Sequence, residues 1–561
     1  MYSNKQNVNQ LTALLVAHGI RHVVVCPGSR NAPLVHNFHA CPDICCFPVT
    51  DERSAGFYAL GMMQALDEPV AVCVTSGTAL LNLAPAVAEA WYQHQPLIVI
   101  SADRPERWID QLDGQTLSQP AALGHFVRRS VSLPETDEWY CNRLINEALL
   151  AALADDARPV HINVPITEPL FTFDEPQLPD VRRVVRMMPA RDYDCLPPSL
   201  IDGLAMAQRP MVVFGQTNPH HFEGCDVEYL FSHVIVLHEA LSRFPNVSHF
   251  DEVLFNEERG ARNEERILPP DFILYVGDTI VSKRLRHFLR SATEAVTWRI
   301  SRSGDVEDTF QNLHGIVVGD AEFVLQSLSH KLSHRQMQGT DYRRQWLAAL
   351  KEASRHTADF RPGYSQMAAV RYFEQQLLNP DHSCDHSGVS APFTVHYANS
   401  TAIRLANIYA RHHVWCNRGV NGIEGSLSTA AGFSCVTNER VFCVIGDLSF
   451  FYDQNALWTQ NLGGNLRILL LNNGKGGIFN MLKGLEQSPA RDHFVAAAHQ
   501  TNAEGICRQN NVTYLKATNI EEMQQGIDTL LYIESVRPVL LEVLTDAAED
   551  ERVFKDYYSG R

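Results

Sequence analysis

Short, continuously apolar runs recur along the chain, and each is followed by a turn signal or a helical pattern. In the first third of the chain the runs are HVVVC (22–26), VAVCVTSG (70–77), LIVISAD (97–103) and PVHINVP (159–165). A strand that is apolar on both faces must be covered on both sides, which is typical of parallel sheets flanked by their crossover helices. The sequence therefore predicts an α/β fold of doubly wound, mainly parallel sheets.

The pattern returns in two later blocks, so we expect three α/β domains. The second block contains MVVFG, VIVLH and ILYVG, and the third contains FTVHYANS, HHVWC, RVFCVIGD, LRILLLNN and VLLEVL. A length of 561 residues fits this count, since one domain takes roughly 150 residues. A proline-rich linker at 166–198 and a polar stretch at 330–344 place the domains at 1–185, 186–345 and 346–561. The charged segment 256–266 is expected to be a surface loop.

Charge and composition exclude several classes of function. A net charge of −17 argues against non-specific nucleic-acid binding, which depends on phosphate neutralisation by Lys and Arg. No apolar run approaches the ~20 residues of a membrane span, and the polar N-terminus lacks the apolar core of a signal peptide. The 13 cysteines are scattered through apolar strands and are expected to be reduced, in a cytoplasmic protein. Cys41, Cys45 and Cys46 crowd together without a second ligand pair, which favours packing over zinc binding.

The polar residues that end two strands of the third block point to a metal–diphosphate site. Gly446 and Asp447 end VFCVIGD, and Asn472 and Asn473 end LRILLLNN before the glycine-rich GKGGIF. Ligands of open α/β sheets bind at the carboxyl ends of the strands, and Mg²⁺ prefers a few protein oxygens together with substrate phosphates. The alternative is a pair of ordinary strand-end turns.

Several segments resemble those of thiamine-diphosphate enzymes. GDLSFFYDQNAL with LLLNNGKGGIF resembles their metal-binding motif, and VTDERSAGFYALG (49–61) resembles the segment that holds their catalytic glutamate. PGSRNAPL, TSGTALLNLAPAVAEA, SADRPE, NSTAIR and NRGVNGIEGSLSTAAG are together similar to the 2-succinyl-5-enolpyruvyl-6-hydroxy-3-cyclohexene-1-carboxylate synthase family of menaquinone biosynthesis. The likeness spans about residues 10 to 545 and implies three domains of the thiamine-diphosphate enzyme type: pyrimidine-binding, central, and diphosphate- and metal-binding.

The resemblance implies that Glu52 is the catalytic residue and hydrogen-bonds the pyrimidine ring of thiamine diphosphate. On the residues alone, Glu52 could equally cap a helix or form a surface ion pair. Asp447, Asn473 and the backbone carbonyl of Lys475 are implied as ligands of Mg²⁺ or Mn²⁺. The other residues implied in cofactor binding are Thr75, Gly77, Asn399, Ser400, Gly422, Ile423, Gly446, Leu448, Ser449 and Ile478.

The family's reaction is a decarboxylating conjugate addition of the succinyl semialdehyde unit of 2-oxoglutarate to isochorismate. Both substrates are carboxylates, so an acidic protein must concentrate positive charge locally, and the arginine fork matches a carboxylate bidentately. The resemblance places Ser400, Arg404 and Arg418 near the succinyl carboxylate, with Phe479 as an apolar wall beside the cofactor. It places the following residues around isochorismate: Ser29, Arg30, Arg104, Gln115 and Lys283. Each arginine could instead be a solvated surface charge, and the neighbours of Arg284 suggest a basic helix face there.

One departure from the family pattern affects the metal loop. Where relatives often read NNNGGGIF, this chain reads LNNGKGGIF, so Lys475 replaces a glycine. Alignment on Ile478 and Phe479 favours Asn473 as the metal ligand, but Asn472 stays open.

The sequence leaves three alternative functions open and predicts an oligomer. Another thiamine-diphosphate decarboxylase or synthase is the main alternative, although the many candidate anion-binding arginines disfavour small neutral acceptors. A nucleotide-dependent oxidoreductase would need a glycine-rich phosphate loop, and neither GxGxxG nor GxxxxGK[ST] is present. A silent regulatory homologue would not need Glu52, Asp447 and Asn473 together. The superfamily resemblance also implies a homodimer or homotetramer.

Overall fold

The computed structural model describes residues 1–187, 192–193, 195–222, 226–242, 244, 246–258, 266–379, 392–481 and 484–559. The strands of these residues form three sheets in which every paired strand runs parallel to its neighbour. The six-stranded first sheet has the order β2-β1-β3-β4-β6-β5. Its strands are β1 (His22–Val25), β2 (Cys45–Pro48), β3 (Ala71–Val74), β4 (Ile98–Asp103), β5 (Arg129–Ser132) and β6 (Val160–Pro165).

The second and third sheets have five strands each. The order in the second is β11-β10-β9-β7-β8, and in the third it is β12-β13-β14-β16-β15. The strands of the second sheet are β7 (Pro210–Phe214), β8 (Ile235–His238), β9 (Phe272–Val276), β10 (Val296–Ser301) and β11 (Leu313–Val318). Those of the third are β12 (Phe393–Tyr397), β13 (Arg440–Gly446), β14 (Leu466–Asn472), β15 (Thr513–Ala517) and β16 (Val539–Leu544).

Helices connect the strands and cover the sheets. In the first block they are α1 (Gln6–Ala17), α2 (Ala32–Ala40), α3 (Glu52–Leu66), α4 (Thr78–Asn82), α5 (Ala84–Tyr92) and α6 (Glu138–Ala152). In the second they are α7 (Pro198–Met206), α8 (Glu228–His233), α9 (Phe250–Glu258), α10 (Lys283–Arg290), α11 (Ala321–Leu332) and α12 (Thr340–Asp359). In the third they are α13 (Gln366–Leu377), α14 (Thr401–Tyr409), α15 (Ser426–Ser434), α16 (Asp447–Tyr452), α17 (Glu504–Gln509), α18 (Ile520–Tyr532) and α19 (Ala547–Ser559).

The central strands are buried on both faces, as continuously apolar strands of a parallel sheet must be. All residues of β3, β4, β7, β9 and β14 are buried. The prediction of a doubly wound, mainly parallel α/β fold is therefore confirmed. Within the described ranges, the helices all lack the combination of length and apolar composition that a bilayer crossing requires.

One local expectation differs from the structure, and two polar segments can be described further. HHVWC forms no strand, but a single bridge between Trp415 and His396, because the Val414 amide donates to the Ala240 carbonyl and directs this segment toward the second block. The polar stretch 330–344 contains the end of α11 at Leu332 and the start of α12 at Thr340. Most of the charged segment 256–266 lies outside the described residues, and 256–258 belong to α9.

Helix α3 packs directly on α15, which joins the first block to the third. A Cβ on Gly61 would lie 1.9 Å from the carbonyl oxygen of Thr429, and one on Gly432 would lie 2.1 Å from that of Tyr58. Both helices thus use glycine to bring their backbones into contact. The Tyr58 hydroxyl also donates to the Ala456 carbonyl at 2.7 Å.

Candidate active site

The two polar strand ends of the third sheet are tied together by Asp447. This carboxylate is 4% exposed and opens α16 directly after β13. Its Oδ1 accepts the Leu448 amide at 2.7 Å, and its Oδ2 accepts the amides of Gly474 at 2.8 Å and Asn473 at 3.2 Å. Because β13 and β14 are adjacent and parallel, their carboxyl ends bring these groups to one edge of the sheet.

The two asparagines that end β14 have different roles. Asn472 is 3% exposed, its Nδ2 donates to Glu542 Oε1 at 2.7 Å and to the Thr501 carbonyl at 2.9 Å, and its Oδ1 accepts the Gly474 amide. These hydrogen bonds of Asn472 hold the loop that follows β14 in place. Asn473 donates from Nδ2 to Asp550 at 3.0 Å, while its Oδ1 is buried without a hydrogen-bond partner. Such an orphaned oxygen is the kind of group that a bound ion would satisfy.

The lysine that departs from the family pattern is paired by a neighbour. The Lys475 ammonium lies 3.4 Å from Asp492 Oδ1, and His499 Nε2 lies 3.5 Å from Asp447 Oδ2. No cluster of three or more His, Cys, Asp or Glu side chains that could hold a metal occurs in the parts of the chain described above. A metal here would need a mixed set of carboxylate, amide and backbone oxygens.

Asn399 fixes the loop that follows β12. It is 5% exposed, and its Nδ2 donates to the carbonyls of Asn417 at 2.7 Å and Gly422 at 2.8 Å. Its Oδ1 accepts from Arg418 Nη1 at 3.0 Å. Asn399 thus orients this loop. Next to it, Ser400 has φ 75° at the N-terminus of α14, a strained conformation that presents the backbone amides of the first turn.

The remaining predicted cofactor residues of the third block lie around these strand ends. Ile423 is 41% exposed although it is apolar. Gly446 ends β13, and a Cβ there would meet no atom within 4 Å. Leu448 and Ser449 lie in the first turn of α16, while Ile478 and Phe479 follow the GKGG loop and are half-buried.

Glu52 is the first residue of α3 and is half-buried. Asp51 caps the helix by accepting the Ser54 amide at 3.2 Å, which leaves the Glu52 carboxylate to accept from Asn82 Nδ2 at 3.2 Å. Arg53 donates to the Tyr452 carbonyl at 2.8 Å. The start of α3 is therefore attached to the C-terminal end of α16.

The remaining first-block candidates, for cofactor and for substrate, lie in the loops that follow β1, β3 and β4. Gly77 has φ 85°, and its amide donates to Gln119 Oε1 at 2.7 Å. Gln115 Nε2 donates to the Ser76 carbonyl at 3.2 Å, and Arg104 Nε donates to the Gly114 carbonyl at 3.0 Å. Thr75 is buried with its hydroxyl unpartnered.

Ser29 and Arg30, in the loop that follows β1, differ in accessibility. Ser29 is exposed. Arg30 is 6% exposed and donates to the Ile166 carbonyl at 3.0 Å and to Glu168 at 3.2 Å, so its guanidinium is already partnered within the chain.

Lys283, Arg284, Arg404 and Ile478 line a cavity of about 260 Å³ between the second and third blocks. Arg284 pairs with Asp251 and lies over the rings of Phe255 and Tyr558, so its charge is partnered within the chain. Burial lowers the pKa of Arg404, with Arg418 and Arg284 adding repulsion and Asp251 opposing it. Arg418 is 8% exposed, and its Nε is buried without a partner.

The sequence analysis missed two buried carboxylates near these groups. Glu239 accepts the amides of Val281 at 2.6 Å and Ser282 at 2.7 Å, directly before Lys283. Glu89 accepts two amides of the loop that follows Arg418. The available signal was a single acidic residue in the otherwise apolar run APAVAEAWY, where a charge must find partners on burial.

Comparisons with known proteins agree with this geometry. The family model described as thiamine pyrophosphate enzyme, N-terminal TPP binding domain, matches residues 7–122, and the corresponding C-terminal TPP binding domain matches 397–543. Proteins named 2-succinyl-5-enolpyruvyl-6-hydroxy-3-cyclohexene-1-carboxylate synthase match over the whole chain. Those from Bacteroides fragilis and Bacteroides thetaiotaomicron are 44% and 43% identical, with 99% of each relative covered, and that from Porphyromonas gingivalis is 34% identical, with 97% covered.

Proposed function

The chain belongs to the 2-succinyl-5-enolpyruvyl-6-hydroxy-3-cyclohexene-1-carboxylate synthase family, and from this membership we propose its reaction. It transfers the succinyl semialdehyde unit of 2-oxoglutarate to isochorismate with loss of CO₂, in a thiamine-diphosphate-dependent step of menaquinone biosynthesis. The observation that carries the proposal is the full-length similarity at 41–44% identity to synthases of this name, together with the two cofactor-domain matches.

The donor set at the third sheet fits Mg²⁺ or Mn²⁺ with a diphosphate. Asp447 supplies a carboxylate, Asn473 supplies its unpartnered Oδ1, and Lys475 supplies a backbone carbonyl. Mg²⁺ prefers few protein oxygens together with phosphate oxygens and water. The amides at the start of α14, beginning with Ser400, would bind the diphosphate. The buried, partnerless Asn473 oxygen is the observation that favours Asn473 over Asn472.

Thiamine diphosphate, when bound, supplies the carbon nucleophile and the electron sink for decarboxylation. Glu52 would hold the pyrimidine ring through a hydrogen bond and exchange a proton with its nitrogen, while Asn82 orients the carboxylate. Ile423 would support the cofactor, and Ile478 and Phe479 would exclude water beside it.

The buried arginines would bind the acidic substrates. Arg404 lines the cavity, and Arg418 has an unsatisfied Nε, so both can orient a succinyl carboxylate through a charge-assisted fork. Lys283 lines the same cavity and would bind isochorismate with the first-block residues Ser29, Arg30, Arg104 and Gln115. For Arg30, this role would require the guanidinium to exchange Glu168 for substrate.

The test begins with turnover. Incubation with 2-oxoglutarate, isochorismate, thiamine diphosphate and Mg²⁺ is expected to consume isochorismate and release CO₂. Turnover of pyruvate alone, with no loss of isochorismate, would instead favour the alternative of another thiamine-diphosphate decarboxylase or synthase. Glu52→Gln is expected to remove most activity with an unchanged circular-dichroism spectrum. Glu228→Gln, which changes the first residue of α8, is the matched control and should retain activity.

The site is also proposed to form between two copies of the chain, in a cytoplasmic homodimer or homotetramer. Large apolar side chains near the site are exposed in one chain, among them Leu81 at 43% and Val420 at 48%, and such patches mark interfaces. Mixing inactive Glu52→Gln chains with inactive Asp447→Asn chains tests this arrangement. A shared site predicts recovered activity, because a mixed dimer holds one site free of both substitutions. No recovery on subunit exchange would contradict the proposal.

A further inference from the structure

A buried carboxylate of the first block holds the loop that carries Arg418. Glu89 lies on α5 and is 3% exposed. Its Oε1 accepts the Gly419 amide at 2.7 Å, and its Oε2 accepts the Val420 amide at 2.7 Å. Gln93, the residue that follows α5, also donates to Oε1, at 2.5 Å. Both carboxylate oxygens are thus used to bind a loop from more than 300 residues away along the chain, since the separation is 330 and 331 residues.

The loop lies directly on the helix. A Cβ on Gly419 would be 2.8 Å from the Glu89 carbonyl oxygen and 3.0 Å from Tyr92 Cβ, so only glycine allows this approach. Burial raises the pKa of Glu89, while the hydrogen bonds from Gln93 and the two amides and the charge of Arg418 oppose the rise. The carboxylate is therefore sterically matched to this loop, and the loop amides offset part of the cost of burying it.

The same loop is held from its other side by the third block. Asn399 binds the carbonyls of Asn417 and Gly422 and accepts from Arg418. Asn399 donates to carbonyl groups on either side of Arg418, whereas Glu89 accepts hydrogen bonds from the two amides that follow Arg418. Arg418 is consequently fixed between two domains and has an Nε free to bind an anion.

We propose that Glu89 is a positioning residue that sets the Arg418 guanidinium for the carboxylate of the 2-oxo acid, an inference that rests on the proposed function. A carboxylate suits this task because it accepts at both oxygens. A glutamine would turn its NH₂ group toward one of the amides, which leaves that amide unpaired and loosens the loop. Glu89 itself need not touch substrate or cofactor.

The test uses the full-length Glu89→Gln enzyme and two readouts. Hydrogen exchange of residues 416–424, without substrates, is expected to quicken relative to wild type. The KM for 2-oxoglutarate is expected to rise about tenfold while kcat stays within about twofold, since an interaction equal in ground and transition states affects KM alone. Glu89→Asp keeps the buried charge on a shorter side chain and should shift both readouts in the same direction.

Glu374→Gln is the matched control. Glu374 is 2% exposed, and it bonds to the Tyr397 hydroxyl at 2.6 Å and to His412 at 2.9 Å, so its side-chain partners lie outside residues 416–424. Its substitution should leave the KM unchanged. Unchanged exchange in Glu89→Gln, or faster exchange with an unchanged KM, would overturn the positioning role. A wild-type enzyme that fails to turn over these substrates would refute the proposed function instead, and the exchange experiment would then decide whether Glu89 holds the loop.

Discussion

The contact between α3 and α15 makes Gly61→Ala a sharp test of how the first and third blocks are joined. The added Cβ would lie 1.9 Å from the Thr429 carbonyl oxygen and 2.8 Å from the Phe433 amide nitrogen. Ordinary contacts of a Cβ begin at 3.4 Å, so the two helices would have to separate by about 1.5 Å at this point. Both obstacles are backbone atoms, which cannot rotate out of the way as a side chain can.

Two opposing effects set the size of the change. Alanine in place of glycine in a helix interior stabilises by about 1 kcal/mol. Overpacking a tight contact costs typically about 1–3 kcal/mol and occasionally more, and an approach of 1.9 Å to backbone belongs at the upper end of that range. We therefore expect Gly61→Ala to lower the free energy of unfolding by about 2 kcal/mol. Displacement of α3 would also move Glu52 and weaken thiamine-diphosphate binding.

Urea unfolding followed by circular dichroism measures the first effect, and fluorescence titration with thiamine diphosphate and Mg²⁺ measures the second. Gly505→Ala is the control, because it lies in α17 and an added Cβ there meets no atom within 4 Å. The control should be neutral or slightly stabilising. If Gly61→Ala is as stable as Gly505→Ala and binds coenzyme normally, the close contact between the helices does not exist as described.

Three further outcomes are expected. Asn473→Ala should raise the Mg²⁺ concentration for half-maximal activity at least about tenfold. Lys475→Ala should leave that concentration nearly unchanged, because only the backbone carbonyl of Lys475 is used. Equal effects of the two substitutions would contradict the assignment of Asn473 as the side-chain ligand. Arg418→Lys should raise the KM for 2-oxoglutarate about tenfold, since lysine cannot form the bidentate fork, and an unchanged KM would exclude the contact. Burial raises the pKa of Glu239 to about 7. A raised pKa means that Glu239 stays protonated to a higher pH in the folded state than in the unfolded state. Its contribution to stability is therefore present at low pH and is lost as pH rises from about 4.5 to about 7. The unfolding free energy of wild type relative to Glu239→Gln should fall by about 3 kcal/mol over that window, and a pH-independent difference would refute the assignment.

The sequence was sufficient for the central strands because burial on both faces leaves an uninterrupted apolar run. Edge strands gave no such signal. The edge strand β5 reads RSVS and has one buried residue. The inner strand β10 is interrupted in sequence by Arg299, a buried charge that pairs with Asp278 and Glu307. HHVWC shows the opposite case, because this apolar run is buried but forms only a single bridge and no strand.

At the site, sequence motifs identified the strand ends but not the contacts that hold them. The resemblance named Asp447 and favoured Asn473 without excluding Asn472, and the hydrogen-bond pattern supports the same choice. Glu89 escaped notice because its partners are backbone amides distant along the chain, and amides carry no signature in a sequence. The predicted roles of the substrate-binding residues stay predictions until ligands are observed.

One apolar core spans both ends of the chain, and this affects how the protein is made. Its members run from Val24 to Val127 and again from Ala398 to Leu540, and include Leu60, Leu427 and others from both stretches. About 270 residues separate the two contributions. At ~5–20 residues per second a ribosome needs from roughly a quarter of a minute to nearly a minute to synthesise that interval. During that interval, the face of the first block that will pack on α15 stays exposed to solvent. Such a transiently exposed apolar face is the kind of surface that chaperones bind during translation.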